Sequence, residues 1–167
     1  MEKRIWKKIV LVLLLIGVST AASIFYNYKA TGVLLTLNRK LPIYNVDVKD
    51  KTVAISFDAS WGVDNTPKIL DVLGKYNVKA TFFLVGAWVD KNPELVKQLD
   101  KTGQEIGNHS NMHPDMTKIS NDKIIKEIAV DDAKINSLIG KSTTLFRCPS
   151  GTYNDNVIQT VEDTKHY

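Results

Sequence analysis

Two histidines, an aspartate and an arginine are the residues of this sequence whose types and spacing could support chemistry. His109 and His113 stand four residues apart, which lets both imidazoles reach one cation from a helical turn or a curled loop. Asp58 supplies a carboxylate, and Arg147 carries a planar guanidinium suited to orienting a carboxylate. Together these groups are the set that metal-assisted hydrolysis needs.

Each of these residues also has a plainer interpretation. Asp58 could cap a loop, and Arg147 could be an ordinary surface cation. Cys148 is interpreted as a small buried residue, because no histidine lies near it in sequence to activate a thiol. As the only cysteine, it excludes a disulfide framework and a multi-cysteine metal cluster. Trp61 and Trp88 are core residues by default, although an aromatic side chain at a strand end is also a surface on which a sugar can stack.

The elements that must position these residues are four predicted β-strands, each followed by a predicted helix. The strands are predicted at residues 52–57, 80–85, 104–108 and 144–146, and the helices begin near Pro67, Pro93, Ser120 and Asn154. Strands that alternate with helices predict parallel βαβ units, hence an α/β sheet or barrel. The carboxyl ends of parallel strands meet at one face, so we expect the four residues to lie together there.

The amino-terminal part of the chain is predicted to meet a membrane. Four basic residues precede position 9, and residues 9–26 are uncharged. A helix of this length reaches about 27 Å, close to the roughly 30 Å hydrocarbon core of a bilayer. The positive flank predicts a cytoplasmic amino terminus and an extracytoplasmic carboxyl-terminal domain. Small residues at positions 19–23 leave a cleaved signal, and therefore a secreted protein, as the alternative.

The charge distribution bears on partners and on domain organisation. Residues 1–50 hold eight basic and three acidic side chains, whereas residues 51–167 hold 14 basic and 15 acidic ones. The nearly neutral body offers no basic stripe for phosphates, so nucleic acid is excluded as a partner, and no obligate protein partner is evident. We divide the chain into a basic flank with an anchor or signal at residues 1–28, a linker at 29–50 and one folded domain at 51–167.

Four segments in this order resemble the polysaccharide deacetylases of the NodB-homology type, carbohydrate esterase family 4. They are VAISFD at 53–58, KATFFLVG at 79–86, GNHSNMHP at 107–114 and FRCPSG at 146–151. The sequence ASWG after Asp58, together with the membrane segment, is most similar to the sporulation-associated subgroup. The resemblance implies metal-dependent removal of N-acetyl groups from glycans such as peptidoglycan. It also implies that residues 51–167 form part of a distorted (β/α) barrel, preceded by a transmembrane helix.

The resemblance assigns roles to individual residues. It implies that Asp58 is the general base, that Arg147 orients this base, and that His109 and His113 hold a divalent metal. Zinc is the expected metal, with cobalt or nickel as alternatives. The substrate surface is predicted to include three further residues, Trp61, Pro149 and Gly151.

The sequence departs from the family pattern in two places. The family has a second aspartate, a metal ligand, directly after the base, and here that position is Ala59. Either Asp64 or solvent completes the metal shell, or the site is impaired. The family's later motifs, an Asp-rich one and a Leu-x-His that supplies the general acid, do not occur in these 167 residues, and His166 does not match them. Two hypotheses follow: a membrane-anchored deacetylase, or a truncated or degenerate member that at best binds glycan.

Overall fold

A computed structural model describes residues 2–37, 39–62 and 65–167, which divide into two units at residues 39 and 40. The first unit is one helix, α1 (Glu2–Leu37). Its segment Arg4–Asn27 is long and apolar enough to cross a membrane, a property that it shares with signal sequences. The helix continues through the first part of the predicted linker, because residues 32–37 are apolar and no proline occurs before Pro42.

The second unit is built on a three-stranded parallel sheet. Its strands are β1 (Ser56–Ala59), β2 (Thr81–Leu84) and β3 (Glu105–Asn108), in the order β1-β2-β3. Asp58 lies opposite Phe83, which in turn lies opposite Gly107. This sheet confirms the α/β class and the parallel arrangement.

Two of the predicted strands differ from those observed. The first strand is predicted at residues 52–57 but begins at Ser56, which is the first residue of β1 that lies opposite a residue of β2, Thr81. The predicted strand at 144–146 is reduced to a single parallel bridge between Asn108 and Phe146. On this segment, the Phe146 amide donates to the carbonyl of Tyr167 at 2.8 Å, and the Tyr167 amide donates to the carbonyl of Thr144 at 3.0 Å.

Five helices surround the sheet: α2 (Thr66–Lys75), α3 (Gly86–Lys91), α4 (Pro93–Lys101), α5 (Asn121–Ile139) and α6 (Asp155–Asp163). Four of them begin where the sequence predicts. Ser120 is the N-cap of α5, and Gly140 ends that helix with a φ of 69°. The Asn154 side chain caps α6 by accepting from the amide of Val157 at 2.9 Å. The short helix α3 was not predicted, because six residues are too few to show a helical period.

Two groups of buried apolar residues form the core, and α5 contributes to both. The larger group joins the sheet to α2, α3 and α4, and includes Leu84, Val96 and Leu99 together with Ile135 of α5. The smaller group joins α5 to α6 through Ile124, Ile128, Val157, Val161 and the nearby Met116. Because both groups hold α5 in place, polar side chains on this helix occupy well-defined positions beside the ends of the strands.

Candidate active site

The Asp58 carboxylate is held by Arg147 at the carboxyl end of β1. The Arg147 guanidinium donates from Nη1 to Asp58 Oδ1 at 2.7 Å and from Nη2 to Ser56 Oγ at 2.7 Å. Its Cζ atom also lies 4.1 Å from the centre of the Phe83 ring. Ser56 and Asp58 are two residues apart on one strand, and therefore face the same side of the sheet. The arginine is thus fixed by three groups, and it occupies only one oxygen of the carboxylate.

His109 follows β3 directly and presents one ring nitrogen to this carboxylate. Its side chain is 2% exposed, and its Nδ1 lies 2.7 Å from the carbonyl oxygen of Arg147. A carbonyl can only accept, so Nδ1 carries the proton and Nε2 keeps a lone pair. The Nε2 atom is 4.0 Å from Asp58 Oδ2. Burial lowers the pKa of His109, which favours the neutral imidazole that a metal ligand requires.

The second histidine lies beside the first. The rings of His109 and His113 are 5.0 Å apart between centroids, and the His113 backbone has a φ of 58°. The Trp61 ring lies 6.0 Å from the His113 ring in an edge-on arrangement, and its side chain is 76% exposed. Pro149 is buried and Gly151 is exposed in the 3-10 turn after Arg147. The substrate roles of these last three residues stay predictions.

The donor set of this site fits a divalent cation held mainly by imidazole. His109 has a free Nε2 lone pair and a carbonyl partner on its other nitrogen, which is the usual support of a metal-binding histidine. Ala59 is part of the buried core, and the predicted ligand Asp64 lies outside the described residues. Within the ranges that the structure describes, no group of three or more His, Cys, Asp and Glu side chains is arranged to hold a metal. Two imidazoles suit zinc, cobalt or nickel.

A cavity of about 280 Å³ opens beside Asp58, between the end of β1 and the start of α2. Ala59, Trp61 and Gly62 contribute to its wall. The indole nitrogen of Trp88 donates to the carbonyl of Gly62 at 2.6 Å and so fixes the chain after β1. Trp88 is buried, as the sequence predicts for a core tryptophan.

Cys148 is only partly exposed and packs against the smaller core group. Burial raises the pKa of its thiol to about 11, so the thiolate is scarce at neutral pH. The structure therefore agrees with the interpretation of Cys148 as a packed side chain rather than a nucleophile.

Several residues that support the site were not predicted from the sequence. Ser56 and Phe83 hold Arg147, and Asp131 accepts a hydrogen bond from the backbone amide of His109 at 3.3 Å. A signal for Asp131 was present, since it falls three residues after Ile128 and four before Ile135 in the apolar stripe of α5. An acidic residue in such a stripe indicates a buried carboxyl group. The contacts of Ser56 and Phe83 depend on sheet register, which the sequence did not establish.

Comparison with known proteins places the chain in a family. Residues 45–167 match the family model described as polysaccharide deacetylase. The peptidoglycan-N-acetylmuramic acid deacetylase PdaA of Bacillus subtilis is 37% identical over 117 residues, which is 70% of this chain and 44% of PdaA. A peptidoglycan-N-acetylglucosamine deacetylase of Bacillus cereus is 39% identical over 120 residues, which is 72% of this chain and 56% of that protein. The chain thus spans about half the length of the curated relatives that it matches.

Among solved structures, this chain is similar to a family 4 carbohydrate esterase pseudoenzyme from Bacillus anthracis, BA3943. The TM-score is 0.72 at 35% identity, over 75% of this chain and 45% of that one. A mutant of the same pseudoenzyme, described as having restored enzymatic activity, gives the same TM-score at 36% identity and covers 46% of that chain.

Proposed function

The chain belongs to the polysaccharide deacetylase family, and we propose that its site hydrolyses the N-acetyl amide of cell-wall glycan with the help of a divalent cation. One observation carries this proposal. Asp58 offers Oδ2, the oxygen that Arg147 leaves free, 4.0 Å from the unprotonated Nε2 of His109. A carboxylate base and a neutral imidazole therefore face the same small space at the ends of the strands.

The residues of the chain have distinct tasks in this reaction. Asp58 accepts at Oδ2 the proton of the water that adds to the amide carbonyl carbon. Arg147 holds the carboxylate in its orientation by donating to Oδ1. The carbon–nitrogen bond then breaks, the amine nitrogen takes up a proton, and acetate leaves.

His109 and His113 are the residues that would hold the cation. A divalent cation bound there supplies Lewis acidity, which lowers the pKa of water and polarises a carbonyl. The hydrogen bond from His109 Nδ1 to the Arg147 carbonyl fixes this imidazole with Nε2 directed to the site. Because the same residue also binds Asp58 through its guanidinium, Arg147 sets the spacing of the base and the metal ligand.

The proposed substrate is N-acetylated peptidoglycan. The matching relatives from Bacillus subtilis and Bacillus cereus are named as peptidoglycan deacetylases. The exposed Trp61 ring beside His113 offers an apolar face for a sugar ring, and the exposed Gly151 lies in the turn after Arg147, whereas Pro149 is buried and could only support that turn. The segment Arg4–Asn27 would anchor the protein in the membrane with the second unit outside the cell, or would direct its secretion if cleaved.

A second candidate function is glycan binding without catalysis. It is favoured by Ala59, which replaces the acidic ligand of the family with a side chain that is part of the core. The likeness to a pseudoenzyme of the same family points the same way.

Removal and return of the metal distinguishes the two candidates. The full chain in detergent micelles is treated with a chelator and then supplied with Zn²⁺ or Co²⁺, and acetate release from N-acetylated peptidoglycan is measured. The deacetylase proposal expects release to stop with the chelator and to return with the metal. His113→Ala serves as the matched control and should not recover. Glycan that sediments with the protein in the absence of any metal-dependent acetate release would support the binding function instead.

A further inference from the structure

The loop that carries both histidines, residues 109–113, is held from one side by acidic side chains of α5. The backbone amide of His109 donates to the Leu84 carbonyl at 2.9 Å and, in a second and longer contact, to Asp131 Oδ2 at 3.3 Å. One turn earlier on the same helix, Glu127 Oε2 accepts from the backbone amide of Met112 at 2.7 Å. Two side chains of one helix thus bind the backbone of the loop at two points.

The loop is also held by the start of α3. The amide of Gly86 donates to the carbonyl of Ser110, and the amide of Ala87 donates to the carbonyl of Asn111, both at 2.9 Å. A side chain at position 86 has no room, because a Cβ atom there would lie 2.6 Å from Asn111 Oδ1. Lys134 of α5 also donates to Asn111 Oδ1 at 2.7 Å.

The backbone of this loop is strained. Ser110 and His113 have φ values of 67° and 58°, in the left-handed region that favours glycine. Such conformations are unfavourable and persist only where the surrounding contacts determine them. Ser110 directly follows His109, whose amide bonds to Asp131, and His113 directly follows Met112, whose amide bonds to Glu127. These two hydrogen bonds therefore act next to the two strained positions.

Asp131 has no other evident task. Its side chain is fully buried, and Oδ1 has no hydrogen-bond partner within the described part of the chain. A buried carboxyl group with an unsatisfied oxygen destabilises a fold, and an apolar residue would continue the stripe of α5 at lower cost. The one bond that this side chain makes ends on the amide of a histidine of the site.

We propose that Asp131 and Glu127 are positioning residues, which hold loop 109–113 in the conformation where the imidazoles of His109 and His113 can share one cation. The proposal rests on the metal-dependent function proposed above and deepens it. It gives helix α5 a role in forming the site, although the motifs at the strand ends do not include this helix.

Paired substitutions in the full chain, in detergent micelles, test the proposal. Asp131→Ala and Glu127→Ala remove the acceptor, whereas Asp131→Asn and Glu127→Gln keep an amide oxygen in its place. Asp122→Ala, in the exposed first turn of α5, is the matched control. Co²⁺ affinity is measured by calorimetric titration and the coordination by the visible spectrum of bound Co²⁺. In the metal-free protein, nuclear Overhauser contacts between the two imidazoles report their separation.

Both alanine variants should weaken Co²⁺ binding at least tenfold, change the Co²⁺ spectrum and lose the contact between the rings. The amide variants and Asp122→Ala should stay within threefold of the unsubstituted chain. If Asp131→Ala does not fold, Glu127→Ala decides, because Glu127 is only partly buried. A folded alanine variant that keeps both its Co²⁺ affinity and the ring contact contradicts the proposal. An unsubstituted chain that binds no Co²⁺ contradicts the proposed deacetylase function instead. The contact between the two imidazole rings in the metal-free variants then still tests whether Asp131 and Glu127 position the loop.

Discussion

Ala59 is the residue at which this site departs from the family pattern. The family has an aspartate there, whereas this side chain is 9% exposed and lines the cavity beside Asp58. We expect Ala59→Asp to lower the free energy of unfolding of the metal-free chain by about 1 to 3 kcal/mol, because a polar group becomes buried. Zn²⁺ should then raise the thermal midpoint of this variant more than that of the unsubstituted chain, since a third protein ligand becomes available. Equal Zn²⁺-induced shifts of the thermal midpoint in the two proteins would show that the introduced carboxylate does not bind the ion.

The buried carboxyl group of Asp131 predicts a pH dependence of stability. Burial raises its pKa from 3.8 to about 8 in the folded protein. The folded chain therefore holds a proton that the unfolded chain releases above about pH 4. This proton stabilises the folded chain fully below about pH 4. Its contribution to the free energy of unfolding falls as the pH rises to about 8, by up to about 1.4 kcal/mol per pH unit.

Asp131→Asn isolates this effect, because an amide does not titrate and the neighbouring Glu127, Asp132 and Lys134 are unchanged. Denaturant unfolding of both proteins at pH 5 and pH 8 should show a larger loss of stability with pH in the unsubstituted chain. The same change in both proteins would show that Asp131 keeps an ordinary pKa.

The sequence predicts the reacting groups at this scale but not their supports. Asp58, His109, His113 and Arg147 follow predicted strands, and the topology of parallel strands brings strand ends together. Ser56 and Phe83 are ordinary strand residues, and only the register of β1 with β2 places them against Arg147. Contacts of that kind need tertiary information, because a shift of one residue would turn both side chains to the other face.

Among the elements, the pairing of β2 with β3 places Gly107 against the Phe83 ring that packs on Arg147. Gly107 lies opposite Phe83, and a Cβ atom at position 107 would approach two Phe83 ring carbons to 2.6 Å. Gly107→Ala should therefore displace the ring beneath Arg147, cost about 1 to 3 kcal/mol of stability and slow acetate release. Gly74→Ala is the matched control, because nothing lies within 4 Å of its Cβ position on the exposed side of α2.

The control variant should gain about 0.5 to 1 kcal/mol from the helix preference of alanine. Unfolding midpoints of the two variants provide the comparison. If Gly107→Ala is as stable and as active as Gly74→Ala, the contact between Phe83 and Arg147 has no role in the site.

Helix ends were predicted from the sequence more accurately than strand ends. Helix caps such as Ser120 and Asn154 were predictable, because capping depends on a few neighbouring residues. Strand limits were not, because a strand extends only as far as its partner. Residues 52–55 alternate as a strand should, yet the residue pairs of β1 and β2 begin at Ser56, one residue after the Ile55 carbonyl that accepts from the Thr81 amide at 3.0 Å.

At the scale of the whole second unit, β1 is an edge strand among the described residues. Val53, Ile55 and Val72 are exposed large apolar side chains in the part of the chain that contains β1 and α2. An exposed parallel edge with apolar neighbours favours association with other chains. We therefore expect purified residues 40–167 to self-associate and to lack a cooperative monomeric thermal transition.

Size-exclusion chromatography with light scattering, followed by a thermal melt, checks this expectation. Replacing Val53 and Ile55 by lysine should reduce the association, whereas lysine at the exposed position Ala129 of α5 should not. A monomeric fragment with a cooperative melt would contradict the expectation.

Acetate released per chain from N-acetylated peptidoglycan, in the presence of Zn²⁺, is the measurement that bears most directly on the proposed site. A general base contributes about 10²-fold to 10⁴-fold to a rate, so Asp58→Asn should slow the release at least about 100-fold. We expect many acetates per unsubstituted chain and almost none per Asp58→Asn chain. If the unsubstituted chain releases no more acetate than this variant, the four residues at the strand ends do not form a deacetylase site.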